Sequence, residues 1–344
     1  MEVYTMKQIK QYLPGILLTA ILAITANQIA SVIPGHLISG SVFALLLGML
    51  LNPAAVRLSL LSPGIKLVSK QVLRLAIILM GLTLSFSQVL EVGRYSLFVM
   101  FFTLISAFGG GYLLGRLFHM NWKLSSLISA GTGICGGSAI AAIAPTIHAK
   151  DSDIAYAISA TFLFDIVMVI LFPIAGQYFR MSDMGFGLWA GTAVNDTSSV
   201  VAAGYAFSDA AGAYSVIVKL TRTLSIVPIV LIFSLVSARA ERLSRDHRSR
   251  NAEKVNIGKI FPFFILLFLV MVAVKSSGII SDTASSTVSV ISKFCMVMAL
   301  GAIGLKTNFR EMARSGAAPM LHGFLISALV VLVSFLAQVG LGQI

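Results

Sequence analysis

The chain has 344 residues, of which 57% are hydrophobic and only 11% are charged, whereas soluble domains carry about 25% charged residues. This composition excludes an ordinary soluble globular protein, because a soluble core has no room for so much apolar side chain. The formal net charge is +12, and the basic residues gather in a few loops, which indicates membrane topology rather than binding to nucleic acid. The sequence does not show the alternating, roughly ten-residue segments of a β-barrel, so we predict an all-α integral membrane protein.

Several apolar stretches are close to the roughly 20 residues that a helix needs to cross the hydrocarbon core. Two further segments are apolar but rich in Gly, Ser and Thr, and we predict that they are broken or re-entrant helices. The prediction is therefore one transmembrane domain, residues 1–344, with 9–11 transmembrane helices. The clear stretches are 13–33, 38–56, 67–90, 95–118, 152–178, 213–237, 257–275, 285–305 and 316–340, and the two broken segments are 122–148 and 184–208.

Positive charge predicts the orientation of the chain. The longest polar insertion, 238–254, has six Arg or Lys and three acidic residues, and we place the loop 238–256 in the cytoplasm. The other basic clusters fall on the same side when the N-terminus is cytoplasmic and the C-terminus is outside. We therefore expect a multi-pass protein of the bacterial inner membrane, in contact with the lipid bilayer. Those clusters are Arg57, Lys66, Lys70 and Arg74; Arg116, His119 and Lys123; and Lys306, Arg310 and Arg314.

The first broken segment contains GTGICGGSAIAAIAP, with four glycines within seven positions and Pro145 after them. Gly costs about 1 kcal/mol and Pro about 3 kcal/mol in a helix interior, so the helix is predicted to unwind near Cys135. Unwound backbone exposes amide N–H groups, and the N-terminus of a half-helix carries partial positive charge, which suits an anion. Close helix packing through small residues is the alternative. The predicted substrate-binding residues are Thr132, Gly136, Gly137 and Ser138.

The second broken segment contains five consecutive polar residues, 195–199, between apolar flanks. We predict that Asn195, Thr197 and Ser198 bind the substrate through side chains and unwound carbonyls. Asp196 is predicted to couple transport to an ion, either as a proton carrier or as a ligand of a cation. An ordinary polar loop at the membrane surface is the alternative.

Three more charged residues fall within predicted membrane helices, namely Asp165, Lys219 and Arg222. Burying a charge in a membrane costs several kcal/mol unless it is paired or hydrated. Lys219 and Arg222 are three residues apart and so share one helical face. We expect Asp165 and Asp196 to pair with them, Asp165 to share the ion-coupling role, and one of the two cations to compensate a bound anion. A purely structural ion-pair network is the alternative.

Two weak internal matches predict inverted repeats, with halves at roughly 1–180 and 181–344. If both broken segments re-enter the membrane without crossing it, the helices that follow them run in opposite directions, as in many secondary transporters. If both segments cross, the chain has eleven crossings, and the second matching pair alone is inverted. The matching pairs are 131–147 with 191–207, and 80–93 with 303–316.

Three strings together resemble the YeiH-type sulfate exporter family, namely GTGICGGSAIAAIAP, AVNDTSSVVAAG and GLTLSF. The resemblance covers nearly the whole chain, and the first two strings are its specific parts. The family is placed with transporters of the sodium–proton antiporter and bile-acid symporter type, which implies inverted repeats and broken helices that meet near the bilayer centre. The resemblance also implies export of sulfate or of a relative such as sulfite. Nothing in the residue spacing selects sulfur oxyanions over other small anions.

The expected function is secondary transport of a small anion by alternating access, coupled to H⁺ or Na⁺. The alternatives are a passive anion channel and, less favoured, an integral membrane enzyme. We do not expect an enzyme, because the sequence has neither a DDxxD-type cluster for Mg²⁺ nor an HExxH zinc pair. We expect no metal and no cofactor beyond the coupling ion, and no nucleic-acid partner. A homodimer is left open.

Overall fold

The computed structural model describes residues 6–32, 40–243, 262–306 and 317–343, and every regular element within these ranges is helical. The prediction of an all-α integral membrane protein is confirmed, because six of the described helices are long and apolar enough to cross a bilayer. These six are Gln11–Ser31, Phe86–Leu117, Asp151–Tyr178, Asp209–Ser237, Asp282–Lys306 and Ala317–Gly340.

The helices are numbered here in chain order. Three of them, α2, α7 and α13, are shorter apolar helices, and α3 and α4 are joined by a π-helical turn at Val68–Val72. The bounds are α1 Met6–Val32, α2 Gly40–Ala55, α3 Ser62–Leu67, α4 Leu73–Met80, α5 Phe86–Leu117, α6 Trp122–Ala130, α7 Gly137–Thr146, α8 Asp151–Tyr178, α9 Asp183–Ala193, α10 Thr197–Phe207, α11 Asp209–Leu224, α12 Ile226–Leu243, α13 Phe264–Ser276, α14 Asp282–Lys306 and α15 Ala317–Gly340.

The start of α5 differs from the prediction. The sequence predicted a break between helices at 91–94, but α5 already begins at Phe86. The Ser85 side chain accepts a hydrogen bond from the backbone N–H of Gln88, and the Gln88 side chain accepts one from the backbone N–H of Ser85 at 2.9 Å. This reciprocal capping box fixes a helix N-terminus. A local cap therefore outweighs the charged residues of the following turns in setting the boundary.

Two predictions reach beyond the described residues. The loop predicted at 238–256 begins later than expected, because α12 continues to Leu243, and residues 244–261 lie outside the described part of the chain. The repeat partner predicted at 303–316 is described only as far as Lys306. The match between that segment and 80–93 therefore stays a prediction.

The first broken segment folds back on itself. After α6 ends at Ala130, a π-helical turn covers Gly131–Cys135, and α7 begins at Gly137. The ammonium of Lys123, at the start of α6, donates a hydrogen bond of 2.8 Å to the carbonyl of His148, just after α7. The segment therefore enters and leaves on the same side of the molecule, and we call it hairpin 1.

The second broken segment makes a matching hairpin, hairpin 2. Here α9 ends at Ala193 and α10 begins at Thr197, and the hydroxyl of Ser208 donates a hydrogen bond of 2.5 Å to the carboxylate of Asp183. Between the hairpins runs α8, whose 28 residues span roughly 42 Å. Hairpin 1 ends just before α8 and hairpin 2 starts just after it, so the two hairpins enter the protein from opposite sides.

Re-entry distinguishes the two predicted arrangements of the broken segments. The two ends of each hairpin lie on the same side of the molecule, which is the re-entrant arrangement and not the one in which both segments cross. The helix after hairpin 1, α8, and the helix after hairpin 2, α11, run in opposite directions, because each starts at the base of its own hairpin. This arrangement is the one that the inverted-repeat prediction requires.

The helices pack in two groups. Helices α5, α8, α11, α12 and α15 pack around the two hairpins, whereas α1 to α4, α13 and α14 pack mainly on one another. Side chains bridge the groups: the ammonium of Lys293 on α14 lies 2.6 Å from the carboxylate of Asp209 on α11, and the Tyr205 hydroxyl lies 3.1 Å from the Met80 sulfur. A cavity of about 260 Å³, the interface cavity, lies between the groups and is lined by all four of these residues.

Candidate functional site

The tips of the two hairpins meet inside the protein, and we call this contact the tip junction, residues 131–136 and 194–196. Gly136 has φ +64° and ψ −134°, a conformation that is essentially restricted to Gly. A Cβ at this position would lie 3.1 Å from the Cβ of Asp196. Glycine therefore allows both the turn of hairpin 1 and its close approach to hairpin 2.

Lys219 reaches the tip junction from α11, which packs against both helices of hairpin 2. Its side chain is fully buried, and its ammonium donates to the carbonyls of Ile134 at 2.9 Å and Val194 at 3.1 Å, and to the carbonyl of Asn195. One cation thus holds backbone oxygens of both hairpins.

Arg222 lies one helical turn further along α11 and is also fully buried. Its Nε donates to the carbonyl of Gly133 at 2.7 Å, its Nη1 to the carbonyl of Val194 at 3.3 Å, and its Nη2 to the carbonyl of Thr132. Spacing of three residues places Lys219 and Arg222 on one face, as predicted. Together they satisfy backbone carbonyls that the broken helices leave without intrahelical partners.

The ion pairs expected at this site do not form. The ion pairs found within the described ranges join Lys275 to Asp282 and Lys293 to Asp209, away from the tip junction. Asp165 instead accepts hydrogen bonds of 2.8 Å from two backbone N–H groups, those of Asn195 and Asp196. Backbone dipoles at the ends of the broken helices therefore take the place of the opposite charges that the sequence suggested.

The N-terminus of α10 carries two acidic caps. One is the fully buried Asp165 of α8, and the other is Asp196, whose carboxylate accepts from the backbone N–H of Ser198 at 2.9 Å and from the Ser198 hydroxyl. Asp196 and Thr197 are half-buried, whereas Asn195 is fully buried. Asp196 thus lies at an edge of the tip junction that neighbouring residues only partly enclose.

The N-terminus of α7 has no side-chain cap. Its first turn contains Gly137, which is half-buried with nothing within 4 Å of the position of a Cβ, and the exposed Ser138. The N–H groups of a first helical turn lack intrahelical partners and carry partial positive charge. Among the predicted substrate-binding residues, Gly137 and Ser138 are therefore the ones with open space beside them.

Two buried side-chain oxygens at the tip junction have no hydrogen-bond partner in the described part of the chain, the Thr132 hydroxyl and the Asn195 side-chain oxygen. The Asn195 amide nitrogen donates to the carbonyl of Thr161 at 3.4 Å and to the hydroxyl of Ser327 at 3.3 Å. Buried polar atoms are usually satisfied. These two oxygens are thus available to a bound molecule, ion or water.

The structure brings all eleven predicted site residues into one region, at or beside the tip junction. They are Thr132, Gly136, Gly137, Ser138, Asp165, Asn195, Asp196, Thr197, Ser198, Lys219 and Arg222.

The sequence interpretation missed the contribution of α15. Ser327 contacts Asn195, and Ser334 shares a hydrogen bond of 2.6 Å with Thr192 of α9. Both serines are fully buried, as are His322 and Gln338 on the same helix. Polar residues in an otherwise apolar helix were the available signal, because such residues face a protein interior rather than lipid.

The formal charges of four side chains at or beside the tip junction cancel, since Lys219 and Arg222 balance Asp165 and Asp196; Lys306 also interacts electrostatically with Asp196. Within the described ranges, no group of three or more His, Cys, Asp or Glu side chains is placed to hold a metal ion. Cys135 is fully buried in the turn of hairpin 1 as a free thiol. The charged side chains and helix ends of the tip junction can bind an ion electrostatically.

Comparison with known proteins gives consistent matches along most of the chain. A family model described as conserved hypothetical protein 698 matches residues 14–323. A UPF0324 membrane protein of Clostridium tetani is 68% identical over 342 residues, which are 98% of this chain and 99% of the relative. UPF0324 membrane proteins of Streptococcus agalactiae and Streptococcus pyogenes are 38% and 40% identical, over 97% and 96% of this chain and 98% and 97% of theirs.

Proposed function

This chain belongs to the family of conserved hypothetical protein 698, the UPF0324 membrane proteins, and on that premise we propose that it is a secondary transporter of a small anion. The observation that carries the proposal is the meeting of two re-entrant hairpins from opposite sides beside buried cations. Backbone that leaves helical form at membrane depth is stable only where protein or a water-filled cavity shields it. Secondary transporters place their substrate sites at such breaks.

In the proposed site, the anion binds at the uncapped N-terminus of α7. Gly137 and Ser138 supply backbone N–H groups and a hydroxyl, and the adjacent space is open. The Thr132 hydroxyl, which has no hydrogen-bond partner among the described residues, is a further donor. Helix N-termini favour anions through aligned N–H groups and the helix dipole. Lys219 and Arg222 act mainly by holding the two tips together and by adding positive potential.

Charge balance gives a reason for coupling to H⁺ or Na⁺. Lys219 and Arg222 are already balanced by Asp165 and Asp196, so an incoming anion adds negative charge in a region of low dielectric constant, where such charge is unfavourable. Asp196 lies beside Gly136 at the partly enclosed edge of the tip junction. A cation taken up at Asp196, or at Asp165 after an opening of hairpin 2, compensates the anion.

The division into two helix groups supports alternating access. The interface cavity and the Lys293–Asp209 ion pair lie where the groups meet, so movement of one group against the other breaks few polar contacts there. Rocking of one helix group against another around a fixed site is a common cycle in secondary transport.

For location, we propose the bacterial inner membrane with the N-terminus in the cytoplasm. Hairpin 1 then enters from the cytoplasmic side, because Arg116, His119 and Lys123 cluster at its base. Hairpin 2 and the C-terminus then lie on the outer side. This assignment follows from the bias of Lys and Arg towards cytoplasmic loops.

The substrate class rests on the resemblance to sulfate exporters. The test measures the flux of sulfate, sulfite and small organic sulfonates into proteoliposomes under imposed pH and sodium gradients. We expect saturable flux of at least one oxyanion, and strong loss in Asp196→Asn and Arg222→Gln. The control is Lys275→Gln, which removes an ion pair with Asp282 away from the hairpins. Wild-type flux in both folded site variants would remove the tip junction from the mechanism, and non-saturating flux would favour an anion channel.

A further inference from the structure

Backbone carbonyls of the two hairpin tips converge on one small region of the tip junction. The carbonyl groups at the C-terminal end of a half-helix lack intrahelical partners and carry partial negative charge. In membrane transporters, such carbonyls are ligands for a coupling cation, because hard cations such as Na⁺ prefer oxygen. The converging carbonyls here are those of Thr132, Gly133, Ile134, Val194 and Asn195.

All five carbonyls are already held by cationic side chains. The ammonium of Lys219 donates hydrogen bonds to the carbonyls of Ile134, Val194 and Asn195. The guanidinium of Arg222 donates to the carbonyls of Thr132 and Gly133 and also to that of Val194. Both side chains are fully buried, so they belong to the interior rather than to a solvent-exposed surface.

A third positive charge in this region would be strongly disfavoured. Unit charges at 4 Å repel by about 4 kcal/mol even at an effective dielectric constant of about 20. A sodium ion bound to any of these carbonyls would lie next to an ammonium or a guanidinium that donates to the same oxygen. The site therefore has the ligands of a cation site, with the cation supplied by the protein.

We propose that Lys219 and Arg222 are resident cations that occupy the place of a bound alkali ion, so that the proton, and not Na⁺, is the coupling ion. The choice of coupling ion rests on the proposed transport function, whereas the occupancy of the carbonyl site does not. Removal of the Lys219 side chain to Ala should open an oxygen-lined space of the size of one amine. The side-chain oxygen of Asn195, which has no hydrogen-bond partner in the ranges that the structure describes, is a further ligand there.

The proton is assigned to Asp196 on geometric grounds. Asp165 is fully buried and holds two backbone N–H groups, whereas Asp196 is half-buried at the open edge of the tip junction. Protonation of Asp196 removes negative charge from beside Gly136, next to the N-terminus of α7, and so favours an anion there. The titratable and charged groups that face Asp196 are Cys135, Asp165, Lys219 and Lys306.

The first experiment measures cation binding to the purified protein without transport. Binding of radioactive sodium and the thermal unfolding midpoint are measured in NaCl, KCl and choline chloride at equal ionic strength. Wild type should bind no sodium saturably and should melt alike in the three salts. The Lys219→Ala variant should bind sodium and gain roughly 3–6 °C in NaCl at a concentration about 100-fold above its dissociation constant. Lys293→Ala, which removes a cation outside the tip junction, should show no gain.

Saturable sodium binding to wild type would overturn the proposal, and this result can be obtained even if Lys219→Ala does not fold. A folded Lys219→Ala variant that melts alike in all three salts would also overturn it. The second experiment compares anion flux in proteoliposomes under a sodium gradient and under a pH gradient. The pH gradient should change the rate severalfold and the sodium gradient should not, whereas accumulation driven by sodium would refute proton coupling. A complete lack of flux would count against the proposed function, and sodium binding would still decide whether the cations are resident.

Discussion

Replacement of Gly136 by Ala tests the geometry of the tip junction. At φ +64° and ψ −134°, an Ala residue adopts a strained backbone conformation that costs about 1–3 kcal/mol. The new Cβ would also lie 3.1 Å from both the Cβ and the Oδ1 of Asp196 and 3.2 Å from its Cα, so hairpin 2 has to shift. Crowding of this kind costs about 1–3 kcal/mol more. We expect Gly136→Ala to lose about 2–6 kcal/mol of folding stability.

The neighbouring residue is a matched control for this change. Gly137 has nothing within 4 Å of the position of a Cβ and lies in the first turn of α7, where Ala is compatible with the backbone. We expect Gly137→Ala to leave stability unchanged or to raise it by about 0.4–1 kcal/mol, because Ala restricts the unfolded chain. Unfolding in mixed detergent micelles, followed through the fluorescence of the buried Trp189, measures both. Equal losses in the two variants would refute the reasoning.

Three further changes test other contacts of the site. Asp165→Asn should cost about 1–3 kcal/mol, since an amide has one oxygen for the two backbone N–H groups that the carboxylate now holds; an unchanged unfolding midpoint would contradict the cap. Arg222→Gln should cost about 3–5 kcal/mol because buried carbonyls lose their cation, and Arg222→Lys should recover part of that loss in the same unfolding measurement. Cysteines in place of Lys123 and His148 should react with an impermeant maleimide from one side of oriented vesicles, and a cysteine in place of Asp183 from the other; labelling of all three from the same side would exclude hairpins from opposite sides.

Much of the fold could be predicted from the sequence, because membrane helices are encoded by length and apolarity. The segments predicted at 152–178 and 316–340 differ by one residue at one end from α8 and α15. The two breaks were also predictable, since the glycines before Cys135 and the polar run after Val194 do not suit a continuous helix. The choice between crossing and re-entry was not predictable, because it depends on contacts between the ends of each segment.

The partners of the buried charges could not be predicted from composition. The sequence shows two acids and two bases, and opposite charge is the obvious pairing. In the structure, the ends of the broken helices offer carbonyls to Lys219 and Arg222 and N–H groups to Asp165. Every residue has backbone groups, so the residue types do not show which carbonyl and N–H groups are left without a partner. The position of each group in the fold determines whether it has a partner.

The cancellation of formal charge at the tip junction has a consequence for energetics under voltage. Moving one elementary charge through the full membrane potential is worth about 2.3 kcal/mol per 100 mV. Lys219, Arg222 and Asp165 are fully buried and Asp196 is half-buried. Because the charges of these four side chains cancel, their movement across the field in an empty carrier would need no electrical work. In the proposed cycle, the membrane potential therefore acts on the loaded step alone, in proportion to the charge that the substrate and its coupling ion carry together.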